Sequence, residues 1–150
     1  MSSAPFDTGL VVERLKAITP APFSLVGSIV EYSRITDLSG FATPAAYVLM
    51  GSERGGIDEQ LRVQVAECTV GVVIAVRNYS PGADGLTHEI RPLISAVRDS
   101  LTGWIPDRRC TTGMVWLQGD VLDFDAGTLL WMDAYKVKHI IGGKACRRSP

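Results

Sequence analysis

The sequence is poor in the residues that most small enzymes and metal proteins rely on. It holds only two histidines, His88 and His139, and three cysteines, Cys68, Cys110 and Cys146, with no Cys-x-x-Cys pair. An odd number of widely spaced cysteines excludes a closed disulfide framework and a zinc knuckle, leaving free thiols in a reducing compartment as the expectation. Charge of one sign is also missing. With 15 basic and 16 acidic residues the formal net charge is -1, so no field of one sign drives general binding to nucleic acid or to acidic lipid. Long hydrophobic runs are absent as well: apolar stretches such as Val70 to Val76 are far short of the roughly 20 residues of a membrane span. No basic flank followed by an apolar stretch opens the chain, so an intracellular, soluble, unprocessed protein is expected.

What is present is the composition of a folded domain. Hydrophobic residues are 46% and charged residues 21% of 150, enough for one domain with its own core. Leu10, Val11, Leu15 and Ile18 recur at helical spacing, with Asp7 or Thr8 as N-cap and Pro20 and Pro22 ending the helix. Phe23 to Gly27 suits a short strand, whereas Ser28 to Gly40 has no clear period and reads as loop or weak helix. The run Ala45 to Met50 reads as a strand, followed by a projecting glycine-containing loop from Gly51 to Glu59. Beyond it the apolar set changes parity, from Leu61, Val63 and Val65 to Cys68, Val70, Val72, Ile74 and Val76. That change predicts a bulge or break near Ala66 and Glu67 within a central strand.

Asn78 to Gly85 reads as a loop. Ile90, Leu93, Ile94, Val97, Leu101 and Trp104 then form the clearest helical stripe, with Thr87 as a possible N-cap, Pro92 expected in the first turn or at a kink, and Gly103 as the stop. Met114 to Phe124 and Thr128 to Lys138 read as the arms of a hairpin turned at Asp125-Ala126-Gly127. This order predicts an α+β fold, a mainly antiparallel or mixed sheet with helices packed on one face, in a single domain over residues 1–141. Residues 142–150 read as a basic flexible tail.

Candidate chemistry is thin. Cys68 or Cys110 with His88 or His139 would have to meet entirely through the fold to make a cysteine-dependent enzyme, and Cys68 is expected to be inert on a core strand. Asp120, Asp123 and Asp125 crowd a turn, but a calcium loop counted from Asp123 would need a glutamate where Ala134 stands. Gly51-Ser52-Glu53-Arg54-Gly55-Gly56 lacks the Gly-Lys-Ser/Thr of a phosphate loop. Lys136, Lys138, Lys144, Arg147 and Arg148 form the basic cluster, which reads as a solvated tail, with a nucleic-acid module as the alternative. Trp104, Trp116 and Trp131 read as core or interface anchors rather than a ligand cage.

Five stretches in order carry a likeness. They are Val12-Glu13-Arg14-Leu15-Lys16; Pro44 to Leu49; Val63-Gln64-Val65 leading to Val72 through Asn78; Leu101-Thr102-Gly103-Trp104-Ile105-Pro106; and Leu129-Leu130-Trp131-Met132-Asp133-Ala134-Tyr135. In this order the chain resembles the phage tail terminator proteins of long-tailed bacteriophages. The basic extension beyond Ile140 and the polar connection Arg108 to Gly113 stand outside that pattern. The resemblance implies a structural virion protein without catalysis, cofactor or metal. It implies a ring of identical subunits, six in lambda-like tails, that caps the tail tube at its head-proximal end. Its partners would be tail-tube protein and neck proteins, with DNA passing through the lumen without specific binding and no membrane involved. A head-tail connector or neck protein is the nearest rival. A ring needs two different complementary patches on each subunit. Strand edges and the side chains of Glu53, Arg54, Arg62, Gln64, Arg77, Trp131 and Tyr135 are the candidates for them.

Overall fold

The computed structural model describes residues 3–77, 83–125 and 127–145. Helix α1 (Gly9–Lys16) is followed by strand β1 (Leu25–Ser28), the short helix α2 (Ile29–Ser33), a 3-10 turn at Leu38–Gly40, and the long strands β2 (Ala45–Asp58) and β3 (Val63–Arg77). Helix α3 (Ala83–Leu101) leads to the hairpin of β4 (Val115–Phe124) and β5 (Thr128–Ala145). The five strands form one sheet in the order β1-β2-β3-β5-β4, in which β1 runs parallel to β2 and every other pair is antiparallel. The fold is α+β with a mixed sheet.

Strand β3 is the axis of the molecule, because its alternating side chains build two cores. Cys68, Val70, Val72, Ile74 and Val76 point to the face covered by α1 and α3, where they meet Val11, Leu15, Ile90, Ile94, Val97 and Leu101. Val73 and Ala75 point the other way, to Tyr47, Leu130 and Phe41, with Tyr32 of α2 and Leu38 packed over them. Helices on one face therefore describe α1 and α3 only; α2 and the 3-10 turn cover part of the opposite face. Each large apolar side chain so buried contributes about 1.5–3 kcal/mol.

The segment that lacks a clear period, Ser28 to Gly40, owes its helix to capping rather than to an apolar stripe. Ser28 Oγ accepts from the Val30 amide while the Glu31 carboxylate accepts from the Ser28 amide at 2.7 Å, a capping box that stabilises α2. Three other expectations need correction. Gly51 to Glu59 is no loop: through Asp58 it is the outer half of β2, held by pairing with Val63 to Cys68 of β3. The expected break near Ala66 and Glu67 is absent from β3, whose ladder with β5 is unbroken from Val65 to Arg77. The register slips instead in β2, between Met50 and Glu53, where a side chain at Gly51 would come within 2.9 Å of the Thr69 carbonyl oxygen. Finally, α3 starts at Ala83, so Thr87 is not its N-cap and Pro92 lies inside the helix. Burial of Ile90 and Ile94 on either side of Pro92 outweighs its poor helix propensity.

Of the expected loop from Asn78 to Gly85, residues 83–85 are helical and the rest lie outside the described residues. Strand β5 continues to Ala145, while Arg147 and Arg148 also lie outside them. Among the described residues no helix is long and apolar enough to cross a membrane.

Candidate functional site

The strand period places Trp131, Asp133 and Tyr135 on one face of β5, beneath α3. Asp133 is fully buried, a carboxylate in the middle of an apolar strand, and four donor groups converge on it. Arg98 of α3 donates from Nε to Oδ2 at 2.8 Å and from Nη2 to Oδ1 at 3.0 Å, a two-pronged pair. Trp131 Nε1 donates to Oδ1 at 2.8 Å, and the Tyr135 hydroxyl donates to Oδ2 at 3.1 Å. The Arg98 guanidinium also lies over the Trp116 ring of β4, 4.4 Å from its centroid. Hydrogen bonding to Asp133 pushes the Arg98 pKa up, and burial, followed by the Asp133 charge, pushes Tyr135 up. Every oxygen of Asp133 is occupied by donors, so the group is built to hold α3, β5 and β4 in fixed relation.

What this knot supports is an unusual edge. Strand β4 closes the sheet on one side, and six of its large apolar side chains, Val115, Trp116, Leu117, Val121, Leu122 and Phe124, are exposed by 40% to 68%. Its register with β5 slips twice, between Trp116 and Gln118 and between Val121 and Asp123, and the extra residue each time is a leucine, Leu117 and Leu122. The paired residues sort by face: Trp116, Val121 and Phe124 lie opposite Tyr135, Trp131 and Leu129, while Asp120 and Asp123 lie opposite Met132 and Leu130.

The second surface is the hairpin of β2 and β3. Its outer half carries exposed Arg54, Ile57 and Leu61, and Arg62 turns the chain with φ of 52°. The other candidates are engaged within the chain. Glu53 Oε1 lies 2.9 Å from Nε2 of the fully buried His139. Gln64 Nε2 donates to the carbonyls of Gly56 and Val65, and Arg77 Nη2 donates to those of Ser39 and Phe41. Trp131 is half-buried over the knot. Tyr135 is 0% exposed and its hydroxyl is spent on Asp133, so in this chain it presents no surface.

Among the described residues the thiols, Cys68 and Cys110, do not suit a nucleophile. Burial raises both Cys68 and Cys110 to about 11, and Cys110 Sγ lies against Asp107 Oδ1. His88 lies in α3, whereas His139 forms an isolated bridge with Cys110 through the backbone. Asp125 Oδ1 accepts from the amides of Gly127 and Thr128, capping the β4–β5 turn. Trp104 stands apart from the other two tryptophans in its partners, packing under Arg14.

Sequence reasoning missed Arg98, Asp133 and the exposed strand β4. The available signal was Asp133 itself, a lone carboxylate in the run Leu129 to Tyr135, because an acid among apolar strand residues must find donors. Nothing local distinguishes β4 from a buried strand, since its edge position is set by topology.

A comparison with known families matches residues 1–146 to the profile described as "Phage tail terminator protein". The match runs through Arg108 to Gly113 and past Ile140 as far as Cys146, so the polar connection falls within the family pattern, and so does the extension up to that residue but not Arg147 and Arg148. In the structure Arg109 and Thr111 are bonded to the β5 backbone at Ile140 and Lys138. A search of curated proteins finds no match. Among solved structures the chain is similar to a chain of the "Virion of native gene transfer agent (GTA) particle", with a TM-score of 0.54 at 15% identity, covering 87% of this chain and 91% of that one. At that identity the likeness is one of fold. With the family match over nearly all of its length, the chain belongs to the phage tail terminator family and is a structural protein of the virion.

Proposed function

We propose that this protein caps the tail tube at its head-proximal end as a ring of identical copies, six in number by the resemblance to lambda-like tails. In this role it arrests tube growth on one side and receives neck proteins on the other, without catalysis or cofactor, after assembly in the host cytoplasm. The observation that carries the reading is the family match over residues 1–146. The geometry supports it with separate exposed surfaces, among them the apolar edge β4 and the outer β2–β3 hairpin, since a ring protein needs two different patches for its neighbours and a further one for the tube. Arg54, Ile57, Leu61 and Arg62 make the hairpin the tube-facing element in this reading. A net charge of -1 suits a lumen through which DNA passes without being held.

The test is electron microscopy of the purified protein added to polymerising tail-tube subunits. Tubes of arrested length with a ring on one end are expected. Tubes that grow unchanged and bear no ring overturn the reading and redirect the search to portal-side partners of a connector.

A further inference from the structure

We infer that β4 of one copy packs against the β1–α2 edge of the next copy, so that the contact between neighbours joins the two opposite edges of the sheet. The inference rests on the ring reading above. Strands β1 and β4 are the two outer strands, four strand spacings or roughly 19 Å apart, and both margins expose apolar side chains. At the β1 margin these are Leu25, Ile29 and Val30, exposed by 37% to 55%.

The two margins match face by face. Rotation about a ring axis keeps the same face of every subunit directed the same way, so the α1/α3 face of one copy must continue into the α1/α3 face of its neighbour. On that face β4 offers Val121 and Phe124, and the β1 margin offers a cleft of about 270 Å³ lined by Lys16, Pro22, Phe23 and Val26. On the other face β4 offers Asp120 and Asp123, and no cation lies between Val115 and Asp125. There the β1 margin offers exposed Arg34 at the end of α2, whose charge also acts on Glu31, itself bonded to Ser28. Apolar groups thus meet a cleft on one face, and carboxylates meet a guanidinium on the other. A two-fold dimer through β4 alone would instead set Asp120 and Asp123 against their own copies.

Covalent trapping tests the contact. The full chain carrying Arg34→Cys and Asp123→Cys is treated with a flexible bismaleimide, both free in solution and bound to tail tubes, with the wild-type chain as baseline for the native cysteines. The double variant should yield a ladder of multimers on a denaturing gel, and each single variant should match the baseline. Dimers from Asp123→Cys alone, or no product from the double variant beyond the baseline, overturn the proposal. Because both substitutions remove a charge, a second measurement uses Val30→Asp and Leu122→Asp, each of which leaves one margin intact. Mixed together they should sediment as dimers, while each alone remains monomeric; a mixture without dimers overturns the proposal. The two readings fail separately. Capped tubes without trapped multimers leave the terminator reading standing and refute the edge contact, whereas uncapped tubes with multimers in free solution do the reverse.

Discussion

Gly119 of β4 sits directly across from Asp133 of β5, and the place where its side chain would stand is already taken. A Cβ there would lie 2.5 Å from Trp131 Cζ2, 2.7 Å from Asp133 Oδ1 and 2.8 Å from Arg98 Nη2. The glycine is what lets the edge strand approach the buried carboxylate and its donors. Gly119→Ala should therefore destabilise the protein by about 1–3 kcal/mol, the usual range for overpacking a filled site. Urea denaturation checks this, and an unchanged midpoint would show that the knot can shift.

The Arg98–Asp133 pair should be costly to break from either side. Arg98→Ala leaves a buried carboxylate with two neutral donors and no cation, for an expected loss of about 3–5 kcal/mol. Arg98→Lys keeps the charge but loses the two-pronged geometry, so it should fall between alanine and wild type. Thermal unfolding of the three proteins gives the order.

Acid should loosen α2 late. Hydrogen bonds from the Ser28 side chain and then its amide lower the Glu31 carboxyl to about 2, well below the ordinary glutamate range. A carboxylate depressed on folding contributes its stabilisation above its unfolded pKa and loses it as pH falls through the folded value. The capping box should persist at pH 4.5 and open toward pH 2, and Ser28→Ala should raise the Glu31 midpoint. Carboxyl NMR titration reads both, and a Glu31 midpoint near 4.5 in the wild type would contradict the capping geometry.

Cys68 and Cys110, raised to about 11, should both stay protonated at pH 7. Iodoacetamide followed by peptide mapping should leave these two unmodified in the folded protein and label both in urea. Rapid labelling of either in the native state would restore the case for a reactive thiol.

Legibility in the sequence follows the range of the forces involved. The stripe through Ile90, Ile94, Val97 and Leu101 is local and periodic, and it marks a real buried helix face. The hairpin around Asp125 and Gly127 is local too, so both arms were readable. The outer half of β2 was not: glycines and charges from Gly51 to Asp58 pair only because β3 lies beside them. The same holds for the candidate surface. Arg54 and Arg62 are exposed as their polarity suggests, but Glu53, Gln64 and Arg77 have partners set by the fold, and Tyr135 meets its carboxylate partner only because β5 lies under α3. The apolar side chains of β4 look like core in the sequence and are surface in the structure, because a one-dimensional pattern carries no record of which strand is outermost.

The paired leucine bulges of β4 bear on what this edge will refuse. A bulge leaves one residue out of the ladder and bends the strand, and two of them split the outward row of amides and carbonyls into short pieces. An arbitrary extended segment from an unfolding neighbour finds no long straight template there, although the side chains remain available to a surface of the right shape. The strand can thus be adhesive toward a specific partner while being a poor seed for fibres. Restoring a regular edge by deleting Leu117 and Leu122 would remove that protection.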